Sequence, residues 1–224
     1  MMPQHHLPAD IERTSMKIIA GELAQRGLDI PPENAPVVKR VIHTTADFDY
    51  ADNLVFSTHA VQKGIKALRG GCDIVTDTHM AKAGINKTIL GKLGGEVHCF
   101  MSDPDVAAEA KERSITRAIV SMERAAKLSK PCIFAIGNAP TALVSLYEQI
   151  EAGKLHPALI IGVPVGFVNV VESKERLFAV CEKHGVPAIA AMGRKGGSNV
   201  AAAICNALIY SASEMLDPAA RGWR

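Results

Sequence analysis

Aromatic residues and clustered charge are both scarce in this sequence. Phe, Trp and Tyr together make up 4% of the 224 residues, and the formal net charge at pH 7 is only +2. No run of Lys and Arg is long enough to form a nucleic-acid-binding tail, and few rings are available to stack on bases. The sequence therefore predicts that no nucleic acid is a partner.

Membrane segments, targeting segments and metal-binding patterns are also missing. The start, Met-Met-Pro-Gln-His-His-Leu-Pro, has neither the basic nor the apolar region of a secretory signal, and no apolar run reaches the length of a membrane span. The sequence contains no Cys-x-x-Cys and no His-x-x-x-His pair, so we predict no metal site of the protein's own. We expect a cytoplasmic protein with no membrane partner.

The cysteines are odd in number and widely spaced, and most lie in apolar runs. This pattern is typical of reduced core residues rather than of a disulfide framework. The five positions are Cys72, Cys99, Cys132, Cys181 and Cys205.

Short apolar segments alternate with amphipathic ones along the whole chain, in which 48% of residues are apolar and 21% are charged. This alternation predicts an α/β fold with a mostly parallel sheet and helices on both faces, in a single domain over residues 1–224. We expect the termini, 1–9 and 217–224, to be loosely held. The predicted strands are 37–45, 73–78, 96–101, 131–136, 158–163 and 187–192. The predicted helices are 10–27, 53–68, 80–85, 103–128, 140–152, 173–184 and 199–212.

The first predicted strand ends in a cluster of polar residues. His43, Thr44 and Thr45 follow a β-branched run, and Asp47 and Asp49 come directly after them. In parallel sheets, ligands bind beyond the carboxyl ends of the strands, so these side chains are candidates for chemistry. By spacing alone, a histidine at the end of an apolar strand is more often a hydrogen-bonded structural residue than a catalyst, and the carboxylates could be helix caps or turn residues. Alternatively, either carboxylate could fix the imidazole tautomer.

Three glycine-containing turns follow predicted strands, at 137–138, 162–166 and 193–197. At such turns the backbone can approach an anion, with free amides of the following helix directed towards it. The third turn carries Arg194 and Lys195, which would suit a carboxylate-rich ligand, although a tight loop with solvated charges is an equal alternative. No turn has a nucleotide-binding fingerprint, so no nucleotide cofactor is predicted.

Four ordered motifs together resemble the precorrin-8X methylmutase family of cobalamin biosynthesis. They are residues 41–50, 137–143, 162–174 and 193–199. The resemblance implies an isomerase that moves a methyl group from carbon 11 to carbon 12 of precorrin-8 or cobalt-precorrin-8, giving hydrogenobyrinate or cobyrinate without a cofactor. Residues 76–79 and 84–87 look closer to the branch that handles the cobalt-bearing substrate.

The resemblance also implies roles for individual residues and a partner. His43 matches the family's catalytic histidine, and the family forms homodimers with clefts built partly from the partner chain. The implied substrate-binding residues are Ser15, Arg40, Thr44, Thr45, Arg117, Arg194 and Lys195, with no metal ligands.

Two alternatives stay open at this stage. By spacing alone, Arg113 and Arg117 share a solvated helix face, whereas the Thr116-Arg117 pair resembles a substrate-contacting position of the family. A protein that binds or carries a tetrapyrrole without catalysis is the alternative function.

Overall fold

A single six-stranded sheet organises the computed structural model, which describes residues 7–222. The strands are β1 Leu54–Phe56, β2 Asp73–Thr76, β3 Val97–His98, β4 Cys132–Ile136, β5 Leu159–Gly162 and β6 Ala188–Ala191. Their order across the sheet is β1-β6-β5-β4-β2-β3. All neighbouring pairs are parallel except β1 with β6.

Helices cover both faces of this sheet. They are α1 Pro8–Gln25, α2 Ala35–Thr45, α3 Tyr50–Asn53, α4 Ala60–Arg69, α5 His79–Gly84, α6 Lys87–Lys92, α7 Pro104–Glu112, α8 Arg117–Ala125, α9 Pro140–Glu151, α10 Val170–His184 and α11 Ser198–Ala212, with a 3₁₀ helix at Pro218–Arg221.

Side chains of the central strands alternate between two cores, because successive residues of a strand point to opposite faces. Ile133 and Ala135 of β4 pack in the core that contains α2, α4 and α11, whereas Phe134 and Ile136 pack in the core that contains α8, α9 and α10. Helix α1 packs on α2. The predicted α/β class, with a mostly parallel sheet and helices on both faces, is confirmed.

The strand order changes direction between neighbours β2 and β4, because β3 lies on one side of this pair and β5 and β6 lie on the other. A side chain of the protein itself occupies the crevice between the carboxyl ends of β2 and β4. The carboxylate of Asp77 accepts hydrogen bonds from the backbone N–H groups of Gly137, Asn138 and Ala139 at 2.6 to 2.8 Å. Gly137 also lies against the start of α11, where a Cβ atom would be 2.7 Å from Cα of Ser198. Burial raises the pKa of Asp77, and the three N–H groups oppose this rise. The glycine turn at 137–138 therefore binds a carboxyl group that the chain itself supplies.

The predicted strand at 37–45 is wrong, because these residues form helix α2. The β-branched run suggested a strand, but its buried residues Val37, Val38, Val41 and Ile42 recur at helical spacing. Pro36 stands in the first helical turn, where its missing N–H costs nothing. Packing against α11 outweighs the weak β preference of valine and isoleucine.

Two predicted helices are interrupted. Residues 54–56, inside the predicted helix 53–68, form edge strand β1, so the helix itself begins at Ala60. The predicted helix 103–128 is two helices, because Ser114 adopts a left-handed conformation with φ of 53° and Thr116 caps α8. Arg113 consequently lies at the C-terminal cap of α7 and Arg117 begins α8, so the two do not share a helix face.

The chain ends make contacts with α1 in the structure. Residues 1–6 and 223–224 lie outside the described part, but Ala9 is buried in α1. Asp217 forms an ion pair with Arg13 at 2.7 Å, and only 3% of the Arg221 side chain is exposed. The expectation of loosely held termini stays a prediction.

All five cysteines are buried and unpaired, as predicted. Burial raises the pKa of Cys72 to about 12 and that of Cys132 to about 11. Over residues 7–222, no helix combines the length and apolar character needed to cross a membrane.

Candidate active site

Helices α1 and α2 bring Ser15 and His43 into contact. The Oγ atom of Ser15 lies 2.7 Å from Nδ1 of His43. Because the helices run side by side, residues at the same spacing on each helix meet, and one turn earlier Glu12 meets Arg40 at 2.6 Å. The histidine thus belongs to a helix-helix groove and not to a strand end.

This groove opens into a cavity of about 810 Å³ that includes His43 in its wall. The volume lies in the range of small-molecule sites. Two of the lining side chains, Ile11 and Ile18, are 50% and 57% exposed, although large apolar side chains are usually covered. The lining residues are Ile11, Thr14, Ser15, Ile18, Ile19, Glu22, Ile42, His43, Ala46 and Phe48. A broad apolar ligand would fit such a wall and cover it.

A buried charge network lies below the Ser15–His43 pair. One carboxylate oxygen of Glu12 accepts hydrogen bonds from both Arg40 and Arg221, each at 2.6 Å. Both guanidinium groups also lie over the ring of Tyr210, at 5.3 Å for Arg40 and 4.2 Å for Arg221. Burial raises the pKa of Glu12, but the two arginines outweigh it, and the pKa is lowered. Glu12 therefore stays ionised at neutral pH.

The surroundings of His43 lower its pKa. Partial desolvation is the main cause, and the positive charges of Arg40 and Arg221 act in the same direction, while the charge of Glu12 opposes them. An imidazolium in this position gives up its proton more readily than an ordinary histidine does. The site can therefore hold an acid that is strong for its residue type.

Thr44 and Thr45 donate their hydroxyl hydrogens to carbonyl groups of their own helix, and neither touches the imidazole. Oγ1 of Thr44 donates to the Arg40 carbonyl at 2.9 Å, and Oγ1 of Thr45 donates to the Val41 carbonyl at 2.8 Å. Such bonds are common for threonine in helices. Ser15 is thus the hydroxyl that contacts the imidazole, whereas the hydroxyls of Thr44 and Thr45 are bound within α2.

The two carboxylates after α2 contact a lysine instead of the histidine. Nζ of Lys195 lies 2.6 Å from Asp47 and 2.5 Å from Asp49. The hydrogen bond from Lys195 lowers the pKa of Asp47, and the two carboxylates raise the pKa of Lys195. Arg194 stays exposed, with its guanidinium 5.4 Å from the ring centre of Phe167. Of the two predicted basic groups on this loop, Arg194 is the better placed to meet an anionic ligand.

A buried lysine fixes the loop that carries these cations. Nζ of Lys174, in α10, donates to the carbonyls of Gly193 and Lys195 at 2.9 and 2.8 Å. Burial lowers the pKa of Lys174 to about 8. Gly196, with φ of +159°, passes so close to Val163 that a Cβ atom would be 2.2 Å from its carbonyl oxygen. The loop conformation is therefore strongly specified.

Arg117 lies apart from the other predicted residues. It is exposed at the start of α8 and donates to the Met101 carbonyl at 3.3 Å. Met101 follows β3, and Lys195 follows β6, four strands away in the sheet. At about 4.8 Å per strand, this separation is roughly 19 Å. A ligand that touches both groups must span the carboxyl edge of the sheet.

Several residues of this site were not found from the sequence. Glu12 and Arg221 were missed because the contact between them joins residues 209 positions apart. A signal did exist for Glu12, because Glu12 and Ser15 have the same spacing as Arg40 and His43. It could be used only if residues 37–45 were assigned to a helix. In the described residues, no group of three or more His, Cys, Asp or Glu is arranged to hold a metal ion.

Comparisons with known proteins agree on one family. The family model described as precorrin-8X methylmutase matches residues 10–211. Cobalt-precorrin-8 methylmutases from Priestia megaterium and Salmonella typhimurium are both 46% identical to this chain, over 90% and 92% of it and 87% and 97% of their own lengths. A crystal structure of a precorrin-8X methylmutase from Thermus thermophilus has a TM-score of 0.81 and 39% identity, covering 91% of this chain and 98% of that one.

Proposed function

The chain belongs to the precorrin-8X methylmutase family, and we propose that His43 is the acid that drives its reaction. The protein is a precorrin-8X/cobalt-precorrin-8 methylmutase, an isomerase of cobalamin biosynthesis. In the proposed reaction a methyl group moves from carbon 11 to carbon 12 of the macrocycle. The observation that carries the assignment of His43 is its contact with Ser15 at 2.7 Å, on the wall of the apolar cavity.

The reaction needs a proton but no electrons and no methyl donor. One bond from the methyl group to the ring breaks and another forms, so the product is an isomer of the substrate. Protonation at a ring nitrogen holds the tautomer in which this shift along the conjugated system is allowed. His43 gives that proton and recovers one when the product tautomer forms. General acid catalysis of this kind is typically worth about 100- to 10,000-fold in rate.

The Ser15 hydroxyl suits a histidine that changes its protonation state. It accepts a hydrogen bond from the Nδ1 hydrogen of the charged imidazole, and it accepts the same bond in the neutral tautomer that remains after Nε2 has lost its proton. The 2.7 Å contact therefore holds the ring in place in both states. The other nitrogen, Nε2, is then the atom that exchanges the proton with the substrate.

The rest of the cavity matches the chemistry of a corrin precursor. The macrocycle is flat and apolar, and it carries acetate and propionate side chains around its rim. Ile11, Ile18 and Phe48 would cover the ring and exclude water from it. We assign the carboxylate fringe to the polar and basic groups around the cavity and along the sheet edge, with Arg194 the main cation on its loop. This set is Ser15, Thr44, Thr45, Arg117, Arg194 and Lys195.

Arg40 has a different role in this proposal from the one its motif implied. Its guanidinium is bound to Glu12 at 2.6 Å, and its side chain is 13% exposed. Opening that ion pair to bind a substrate carboxylate would leave Glu12 with one partner fewer in a buried site. We therefore assign Arg40 to the support of His43 rather than to direct contact with the substrate.

We further propose that the substrate carries cobalt. Both relatives at 46% identity are named cobalt-precorrin-8 methylmutases, whereas the Thermus structure at 39% is named a precorrin-8X enzyme. The metal would arrive within the macrocycle, so the protein needs no ligands for it.

The protein is proposed to act as a homodimer in the cytoplasm. On the loop after β5, the side chains of Val165, Phe167 and Val168 are 48%, 83% and 76% exposed, which supports a partner surface. Unpaired buried cysteines support a reducing compartment.

The test is a His43→Asn variant incubated with the precorrin-8 substrate, with and without cobalt, and followed by visible absorption. Asparagine keeps a polar group but cannot deliver a proton at neutral pH. We expect the variant to bind the substrate and to lose conversion to the corrin chromophore, while His184→Asn, a change at an exposed position in α10, converts normally. Normal turnover by His43→Asn would remove His43 from the mechanism.

A further inference from the structure

The segment from Asp217 to Arg221 docks on α1 through two ion pairs of different character. The outer pair joins Asp217 to Arg13 at 2.7 Å, and its side chains are 58% and 40% exposed. The inner pair joins Arg221 to Glu12 at 2.6 Å, and its side chains are 3% and 5% exposed. Only the inner pair leads to the catalytic histidine.

The inner pair is part of a network that joins four segments of the chain. Glu12 of α1 receives Arg40 of α2 and Arg221 of the 3₁₀ helix on the same oxygen. The ring of Tyr210, from α11, lies beneath both guanidinium groups. Burying charged groups is costly unless their geometry is excellent. Such a network invites a functional explanation.

We propose that Arg221 is a positioning residue for the methyl transfer, which it supports by locking α1 against α2 beneath the Ser15–His43 pair. The proposal rests on the function argued above, in which His43 is the acid. Arg221 does not touch the substrate. It acts through Glu12 and Arg40, and the C-terminal segment is thereby a working part of the active site.

The geometry explains how a distant arginine can matter. The contacts Glu12–Arg40 and Ser15–His43 join the same two helices, α1 and α2. The second contact lies three residues after the first on each helix. A shift of α1 on α2 that disturbs the Glu12–Arg40 contact therefore also moves Ser15 relative to His43. Catalytic geometry is sensitive to such shifts, since a displacement of about 1 Å can cost about 100-fold in rate.

The network also sets the charge that His43 experiences. The charged groups that act on its pKa are Glu12 from α1, Arg40 from α2 and Arg221 from the C-terminal segment, and Glu22 of α1 lines the same cavity. Arg40 and Arg221 lower the pKa of His43, and Glu12 raises it. Removing Arg221 should therefore raise the pKa of His43, and neutralising Glu12 should lower it.

The first experiment measures the pKa of His43 by NMR in the substrate-free protein, with the resonance assigned by its loss in His43→Asn. We expect the pKa to rise in Arg221→Met, to fall in Glu12→Gln, and to stay as in the wild type in the matched control Asp217→Asn. A rise of the His43 pKa in one variant and a fall in the other would indicate electrostatic control. Loosening of the fold would instead shift this pKa in the same direction in both variants.

The second experiment measures turnover. We expect kcat of Arg221→Met to fall by about 10- to 100-fold, in line with misplacement of a catalytic group. The midpoint of its pH profile should move upward, whereas Asp217→Asn should have the wild-type kcat and pH profile. Arg221→Lys, which keeps the charge and loses the planar fork, should keep the wild-type midpoint even if kcat falls. This variant also provides the test if Arg221→Met does not fold.

Unchanged kcat and an unchanged His43 pKa in Arg221→Met would overturn the proposal. If instead His43 is not the acid of the reaction, the experiments give a different result. In that case His43→Asn would turn over normally, while the pKa shifts caused by Arg221 and Glu12 would still appear.

Discussion

In the proposed mechanism, the hydroxyl of Ser15 takes the place of the carboxylate that often orients a catalytic histidine. A carboxylate beside Nδ1 would favour the imidazolium and weaken it as an acid. The hydroxyl adds no charge, and the two arginines below it lower the pKa of His43. This combination suits an acid that must release its proton to a substrate and regain it in each turnover.

Replacement of Ser15 by alanine should therefore reduce turnover without preventing binding. A hydrogen bond to a charged group is worth about 1.5 to 3 kcal/mol, which corresponds to about 10- to 100-fold in rate. We expect kcat of Ser15→Ala to fall within that range, while the affinity for the corrin product in an absorbance titration stays near the wild-type value. Ser129→Ala, which removes an exposed hydroxyl outside this cavity, is the control. Full activity in Ser15→Ala would mean that packing alone orients the imidazole.

Arg194 and Arg117 are exposed cations whose contribution should be to binding. An exposed ion pair is worth about 0.2 to 1 kcal/mol, so each alanine variant should weaken product binding by no more than about five-fold. The loss should shrink at high salt, where such pairs are screened. Arg176→Ala removes an exposed arginine that pairs with Glu151 and serves as the control. An unchanged affinity for one variant would return that arginine to the solvated surface.

At the scale of secondary structure, α2 is the element that the sequence described least well. Its β-branched residues favoured a strand, and the burial that makes it a helix comes from α11, which is far away in the chain. The histidine was nevertheless found, because the motif around it resembles the family whatever its secondary structure is. The Ser15 contact, by contrast, became visible only when two helices were placed side by side.

The ion pairs of Glu12 with Arg40 and Arg221 should also stabilise the fold. Glu12→Gln removes the carboxylate that both Arg40 and Arg221 contact, and breaking a buried pair in this way costs about 3 to 5 kcal/mol. We expect a loss of this size in urea unfolding at pH 7, against a loss within about 1 kcal/mol for Asp10→Asn, which removes an exposed pair.

The pH dependence of this stability follows from the lowered pKa of Glu12. Its contribution is complete above the pKa of the unfolded chain, near 4.5, and is lost as the pH falls through the lower pKa of the folded state. Wild-type stability should therefore drop more steeply than that of Glu12→Gln as the pH is lowered below 5. Parallel curves for the two proteins would show that Glu12 is not ionised in the fold.

At the scale of the whole molecule, five of the six strands fall within predicted strands, because they lie in short apolar runs that are mostly buried. Strand β1 was missed because its three residues have no periodicity of their own and depend on β6 for pairing. The network around Glu12 could not be predicted either. It joins α1 to a segment that the sequence suggested was loose.

The proposed homodimer is a property of the complete molecule. Sedimentation should give the mass of two chains, and Phe167→Ser should shift the protein towards a single chain, since burying a phenylalanine is worth about 1.5 to 3 kcal/mol. Met80→Ser, at another exposed apolar side chain, is the control. A single-chain mass for the wild type at micromolar concentration would contradict the dimer.

The Asp77 carboxylate can be regarded as a ligand that the chain has tethered inside itself. Many α/β proteins bind a phosphate or carboxylate at the crevice where the chain reverses direction across the sheet. Here a free anion would have to displace a group held by three amides. Because Asp77 is part of the same chain, its effective concentration at these amides is that of a covalently linked partner. We therefore expect this crevice to be insensitive to the concentration of phosphate around the protein. In the proposed mechanism, the carboxylates around the substrate contact the cations of the outer loops instead.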